Sequence, residues 1–212
     1  MLVKPKRNYR ITTDSNHRFK KHKNLIENVE VSRPEQVWVS DITYIGGRGN
    51  TYLSLITGAY SKQIMGYDLS DSLATEGSLR ALDMANKKRK NREQILIHHS
   101  DRGIQYCSNA YQESMKRKNI TVSMTESYDP YANAVAERVN GILKQEFLLE
   151  EYKTDIETMK LLVQDAIRIY NTKRPHYSCY MKTPVQMHEQ KEIKIRTYKR
   201  KNPVAKLALQ LD

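Results

Sequence analysis

The chain has few cysteines and no long apolar run, and both absences narrow the classes of protein it can belong to. Its 212 residues include only two cysteines, Cys107 and Cys179, which lie far apart and form no CxxC pair. Neither a disulfide framework nor a zinc site is therefore indicated, and a reducing cytoplasm suits the chain. No run approaches the roughly 18 apolar residues that a membrane span needs. We expect a soluble cytoplasmic protein with no membrane partner.

Positive charge is the main compositional excess, and it lies at the two ends of the chain. The formal net charge is +12. Residues 1–30 hold eight basic against three acidic side chains, and residues 189–212 hold seven against three. Basic ends around a nearly balanced middle favour a polyanionic partner, with nucleic acid the first candidate, because lysine and arginine neutralise its phosphates. Solvated termini that merely keep the protein soluble are the alternative.

The length allows one domain with extensions at both ends. We predict a basic arm or linker over 1–34, a single catalytic or binding core over 35–188 and a basic C-terminal tail over 189–212. A chain of this length is short for two full domains. Arg33-Pro34 disfavours a helix before the first strand, because the residue preceding a proline avoids the helical conformation.

The predicted core begins with three β-rich segments and continues with alternating strands and helices. Strands are predicted over 36–45, 51–60, 63–69, 95–97 and 121–125. Helices are predicted over 73–88, 108–119, 133–149 and 155–171, the first ending in an exposed basic run over 87–90. This order is typical of an α/β fold in which helices flank a mixed five-stranded sheet.

Three carboxylates occupy positions that suggest chemistry when they are taken together. Asp41 interrupts an apolar strand, Asp101 follows an apolar strand at a turn, and Glu137 lies on the polar side of an amphipathic helix. Each has an ordinary alternative: a cap or arginine pair for Asp41, a turn for Asp101 and a solvated helix face for Glu137. Three oxygen ligands from two strands and one helix are nevertheless typical of a site for one or two Mg²⁺ ions.

Four ordered motifs resemble the integrase-type catalytic cores of bacterial insertion-sequence transposases, which are relatives of retroviral integrases. The motifs are Trp38–Tyr44, His99–Tyr106, Asn133–Glu137 and Tyr170–His176, the last followed by Thr183-Pro184. Thirty-five residues separate Asp101 from Glu137, which is the characteristic gap of that family. The resemblance implies a ribonuclease H-like fold for the five-stranded sheet and its helices.

The resemblance also implies an activity and a set of functional residues. Asp41, Asp101 and Glu137 would be the catalytic residues and the ligands of two Mg²⁺ or Mn²⁺ ions. The reaction would be hydrolysis of the phosphodiesters at the ends of a transposon, followed by attack of the exposed 3′-hydroxyl on another phosphodiester. The residues expected to contact DNA are Asn133, Asn140, Lys144, Arg102, Lys173 and Arg174.

The expected partners are DNA, both element ends and target, and further copies of the chain assembled on it near the bacterial nucleoid. The residues before Asp41 are too few and too polar for a helix-turn-helix unit, so we expect end recognition in an upstream helix-turn-helix protein or domain. Two other functions remain open. One is a degenerate integrase-like domain that binds DNA without catalysis, and the other is a ribonuclease H-like nuclease with a different substrate.

Overall fold

A five-stranded sheet with helices on both faces confirms the predicted mixed α/β architecture. The computed structural model describes residues 17–27, 29–46, 51–126, 134–190 and 193. The strands are β1 (Val37–Ile45), β2 (Thr51–Gly58), β3 (Ile64–Ser70), β4 (Ile97–Ser100) and β5 (Thr121–Met124). The helices are α1 (Thr75–Lys88), α2 (Ile104–Cys107), α3 (Asn109–Arg117), α4 (Ala134–Gln145), α5 (Ile156–Thr172) and α6 (Pro184–Glu189).

The strand order across the sheet is β3-β2-β1-β4-β5. Strands β1, β2 and β3 form an antiparallel meander, whereas β4 is parallel to β1 and β5 is parallel to β4. Parallel neighbours require crossover connections, which α1 supplies before β4 and α2 with α3 supply before β5. Strand β1, which contains Asp41, therefore lies at the centre of the sheet.

Alternation along β1 divides the core between the two faces of the sheet. Trp38 and Ile42 pack with residues of α1 and α3 on one face. Ile45 packs with Val139 and other residues of α4 and α5 on the opposite face. Successive side chains of a strand point to opposite faces, so Asp41 shares the α4 side with Ile45. Among the described helices, none is long and apolar enough to cross a membrane.

The fourth strand begins two residues later than predicted. Ile97 opens β4 and pairs with Val37, whereas Ile95 is outside the strand and 73% exposed. His98 and His99 therefore lie inside β4, where both are buried. The strand was predicted to begin at Ile95 because residues 95–97 are all apolar. Pairing with the sheet begins only at Ile97.

The prediction that the basic run at the end of α1 is exposed was wrong for Arg89. Arg89 is buried, and its guanidinium donates hydrogen bonds to the backbone carbonyls of Lys118, Arg92 and Gln94. These contacts join the end of α1 to the end of α3. Arg89 therefore stabilises the fold and does not contribute to the positive charge of the protein surface.

Part of the predicted N-terminal arm lies against the core. Within residues 17–27, the Leu25 amide donates to the Ser123 hydroxyl, and the Met124 amide donates to the Lys23 carbonyl. Both contacts lie along β5, the outermost strand on that side of the sheet. The segment therefore covers backbone groups of an edge strand, which would otherwise be available to pair with another chain.

Gly66 marks the closest approach of the sheet to α1, and its replacement tests this packing. A Cβ atom at Gly66 would overlap the backbone oxygen of Ala81 and lie 2.7 Å from the backbone nitrogen of Ala85. Gly66→Ala should therefore displace α1 and lower the free energy of unfolding by about 1–3 kcal/mol. Chemical denaturation monitored by circular dichroism measures this change.

Gly141→Ala is the matched control. A Cβ atom at Gly141 in α4 would meet nothing within 4 Å. Alanine is favoured over glycine in a helix by about 1 kcal/mol, so this variant should be as stable as the wild type or more stable. Equal stability of the two alanine variants would contradict the close contact between α1 and β3.

Candidate active site

The parallel register of β1 and β4 brings two aspartates together. Val39 of β1 is paired with His99 of β4. Asp41 and Asp101 each lie two residues further along, so they continue the same line of neighbours on the same side of the sheet. Adjacent strands lie about 4.8 Å apart. The two carboxyl groups are consequently close enough for Asp101 to raise the pKa of Asp41.

Asp101 also has the turn contacts that its sequence context predicts. One of its carboxylate oxygens, Oδ1, accepts a hydrogen bond of 3.0 Å from the Gly103 amide. The Ser100 hydroxyl donates to the Asp101 backbone carbonyl at 2.9 Å. The turn therefore fixes the orientation of Asp101 beside Asp41. The role of Asp101 in the turn does not exclude a functional role.

Helix α4 crosses the same face of the sheet and brings Glu137 to the two aspartates. Ala136 packs against Val39 of β1, which anchors the first turn of the helix. One turn later, the Asn140 side-chain amide donates to Asp41 Oδ2 at 2.6 Å. Glu137 lies three residues before Asn140 and therefore on the same side of the helix. Its side chain is exposed.

The environment of Asp41 disfavours its charged form. Burial raises its pKa to about 7, and the negative charges of Asp101 and Glu137 add to the rise. Hydrogen bonds from the Ile42 amide and the Asn140 side chain act in the opposite direction. Within the described residues, no lysine or arginine forms an ion pair with Asp41. The residues that the structure describes therefore provide no positively charged partner for this carboxylate.

The donor set suits a hard divalent cation. Carboxylate oxygens are ligands that Mg²⁺ prefers, and a cation would supply the positive charge that Asp41 lacks. The described part of the chain nevertheless contains no three His, Cys, Asp or Glu side chains gathered closely enough to hold a metal ion. The aspartates supply an adjacent pair, and the exposed Glu137 would have to turn towards them to complete the set.

Asn140, an expected DNA contact, lies on the same side of α4 as Glu137 and contacts Asp41. It is 5% exposed and directed at Asp41, not at solvent. Helical periodicity placed residue 140 on the polar side, but that side of α4 faces the carboxylates and not bulk water. The spacing of three residues from Glu137 was the signal that the two side chains share a face. Asn133, another expected DNA contact, lies outside the described residues.

The four basic residues expected to contact DNA have different surroundings. Lys144 forms an ion pair of 3.1 Å with Glu150, and Arg174 forms two hydrogen bonds of 2.7 Å with Glu146. Lys173 is exposed, whereas Arg102 is half-buried. Ion pairs near the surface are worth about 0–1 kcal/mol, so a phosphate can replace either glutamate.

A buried polar network supports β1 and β4 from the face opposite to Asp41. The imidazole Nε2 of His98 lies 2.6 Å from the Ser40 hydroxyl and 3.0 Å from the Tyr111 hydroxyl. On the same face as Asp41, Nδ1 of His99 lies 2.8 Å from the Ser123 hydroxyl and links β4 to β5. Burial lowers the pKa of His98 to about 3. This neutral network was not anticipated from the sequence, in which the two histidines merely adjoin Asp101.

Comparison with known families and proteins supports the sequence resemblance. The Integrase core domain family matches residues 31–130 and, through a second pattern of the same description, residues 118–184. The chain is 34% identical over 179 residues to an uncharacterised 31 kDa protein of insertion element IS600 from Shigella sonnei. It is also 34% identical over 170 residues to transposase InsF for insertion sequence IS3fB from Escherichia coli K12.

These alignments cover 83% and 79% of this chain but only 65% and 59% of the two relatives, respectively. Solved structures agree on the fold. The chain matches a protein of the simian T-cell lymphotropic virus intasome with a TM-score of 0.65 and 18% identity, over 89% of this chain and 65% of that one. It matches the magnesium-bound HTLV-2 integrase catalytic core with a TM-score of 0.58 and 19% identity, over 74% and 97%.

The raised pKa of Asp41 predicts a pH dependence of stability in metal-free buffer. The pKa of this group is about 7 in the folded chain against an ordinary value of 3.8. Between these values the folded chain binds a proton that the unfolded chain has lost, so stability falls as the pH rises from about 4 to 7 and stays low above that. The stability of the wild type relative to Asp41→Asn should therefore decrease between pH 5 and pH 8.

Thermal unfolding of both proteins with a chelator present, at several pH values, measures this difference. The comparison cancels the contributions of the histidines and the other carboxylates, which titrate in both proteins. Parallel pH profiles for the wild type and Asp41→Asn would contradict the electrostatic description of the site.

Proposed function

Because the chain belongs to the Integrase core domain family, we propose that it is the catalytic core of a DNA transposase. The proposed activity is metal-dependent hydrolysis of phosphodiesters followed by DNA strand transfer. One observation carries the proposal: Asp41 and Asp101 lie side by side under the helix that carries Glu137. The chain spans about three fifths of the length of its curated relatives, several of which are insertion-sequence transposases.

We assign the three carboxylates to a site for one or two Mg²⁺ or Mn²⁺ ions. When bound, such ions activate the attacking oxygen and stabilise the leaving oxygen of an in-line displacement. The chain itself contributes the register that fixes both aspartates and the Asn140 amide that orients Asp41. We propose that Asn140 acts as a positioning residue through Asp41.

The same proposal extends to the partners of the chain. The basic side chains of Arg102, Lys144, Lys173 and Arg174 would contact DNA phosphates, which fix the position of a protein on DNA without reading its sequence. Element ends and target DNA would be the substrates, bound by several copies of the chain in the bacterial cytoplasm at the nucleoid. A helix-turn-helix unit in a longer protein or in a partner would select the element ends.

A second candidate function has one observation in its favour. Among the described residues, Glu137 is not gathered with the aspartates into a closed metal site. A degenerate integrase-like domain that binds DNA without cutting it would have this property. The two functions differ in whether metal ions support any cleavage at all.

Substitution of the three carboxylates tests the proposed activity. Asp41→Asn, Asp101→Asn and Glu137→Gln should each lower Mg²⁺-dependent cleavage and joining of element-end DNA by about a thousandfold or more. Metal-assisted charge stabilisation of several kcal/mol is the physical reason. The control is Asp165→Asn, which removes an exposed carboxylate of α5 that pairs with Arg168.

Each pattern of results has a distinct meaning. Wild-type activity in all three site variants would contradict the assignment. Salt-dependent DNA binding by the wild type without cleavage in any divalent metal would select the second candidate. Hydrolysis without joining would select a ribonuclease H-like nuclease.

A pair of α4 variants separates positioning of the metal site from DNA contact. Asn140→Ala should raise the Mn²⁺ concentration needed for half-maximal cleavage several-fold, because Asp41 loses its 2.6 Å hydrogen bond. Lys144→Ala should leave the metal requirement unchanged but reduce the salt dependence of DNA binding by about one charge. Metal and salt titrations of both variants make the measurement. The reverse pattern would contradict the two assignments.

A further inference from the structure

A short turn after α5 exposes three large apolar side chains. In residues 176–182, which we name the tyrosine turn, Tyr177 is 63% exposed, Tyr180 42% and Met181 62%. Single exposed apolar residues are common on proteins, but two aromatic rings and a methionine within five positions are a concentrated patch. The carboxylate site does not use these side chains.

The backbone of the tyrosine turn is held in a fixed conformation. The His176 amide donates to the Lys182 carbonyl at 3.0 Å, and the Met181 amide donates to the His176 carbonyl at 2.9 Å. Cys179 lies within the turn, is fully buried and anchors the turn to the protein interior. Tyr180 and Met181 have φ values of 56° and 60°. Left-handed conformations of non-glycine residues persist only where surrounding contacts hold them.

The sequence of the tyrosine turn and the residues just before it carries charge of one sign. Lys173 lies three residues before the turn, Lys182 is its last residue, and residues 173–182 contain no aspartate or glutamate. Glu146 approaches from α4, but the Arg174 guanidinium engages both of its carboxylate oxygens. Exposed aromatic rings interleaved with lysines are typical of surfaces that bind single-stranded nucleic acid, in which rings stack on bases and cations hold the phosphates.

The contact between Arg174 and Glu146 places the segment that leads into the tyrosine turn beside the C-terminal end of α4. Glu146 immediately follows α4, nine residues after Glu137. A helix rises 1.5 Å per residue, which places the two glutamates about 14 Å apart along the helix axis.

We propose that Tyr177 and Tyr180 form a stacking site for unpaired DNA bases on the side of the C-terminal end of α4, with Lys173 and Lys182 binding the adjacent phosphates. The inference rests on the proposed function for its substrate class but not on catalysis. Duplex DNA is a poorer occupant, because its bases are already stacked on one another. A protein partner is a poorer one, because lysines border the small apolar surface on both sides in sequence.

Binding of a fluorescent oligonucleotide to the full chain tests the stacking site. The probe is a single strand of twelve nucleotides with 2-aminopurine at successive positions, measured at one fixed salt concentration. Tyr177→Ala and Tyr180→Ala should each weaken binding by about tenfold and relieve the quenching of 2-aminopurine. Tyr177→Phe and Tyr180→Phe should retain both the affinity and the quenching of 2-aminopurine, because phenylalanine keeps the aromatic face. Thermal unfolding confirms that each variant is folded.

Two controls make the result specific. Tyr152→Ala removes a tyrosine of similar exposure, 43%, outside the tyrosine turn and should bind like the wild type. Binding is measured with a chelator present and so without catalysis, which keeps a failure of the catalytic proposal distinguishable from a failure of this one.

Three results would overturn the inference. One is unchanged single-strand affinity in the alanine variants. Another is an equal loss of affinity for the matching duplex, which would indicate general DNA contact. The third is unchanged DNA binding with an altered oligomeric state in sedimentation, which would make the tyrosine turn an interface between copies of the chain.

Discussion

Parallel pairing of β1 with β4 places two negative charges next to each other, and this electrostatic repulsion determines what the site can do. Asp41 lies within the central strand β1, and Asp101 directly follows β4, where the Gly103 amide holds its carboxylate. No basic side chain of the described residues forms an ion pair with Asp41. Protonation of Asp41 or binding of a cation would relieve this repulsion at neutral pH.

Contacts around this pair hold it from three directions. Below the sheet, Ser40, His98 and Tyr111 form a buried hydrogen-bonded group whose histidine stays neutral. Above it, α4 contributes Asn140 to Asp41. At the side, an imidazole nitrogen of His17 lies 2.9 Å from the backbone carbonyl of the residue that follows Asp101. The site is therefore organised before any ligand arrives, except for Glu137, whose exposed side chain retains rotamer freedom.

The sequence predicted the sheet, most of the helices and the elements that carry the three carboxylates, because hydrophobic periodicity and spacing depend on local residue order. It failed where a residue's environment depends on distant parts of the chain. Arg89 belonged to a basic run, yet the carbonyl groups at the end of α3 bury it. Asn140 belonged to a polar stripe, yet that stripe faces another part of the protein. Periodicity distinguishes the polar face of a helix from its apolar face. It does not show whether the polar face contacts solvent or a buried carboxylate of the same protein.

The most direct test of the central claim is calorimetric titration of the chain with Mn²⁺ near pH 6.5, repeated in buffers with different enthalpies of ionisation. If the carboxylates form a cation site, binding is saturable and releases a proton, because Asp41 with its pKa of about 7 must ionise to become a ligand. Asp41→Asn then loses both the binding and the proton release. Absence of saturable binding, or the same titration in wild type and Asp41→Asn, would contradict the account.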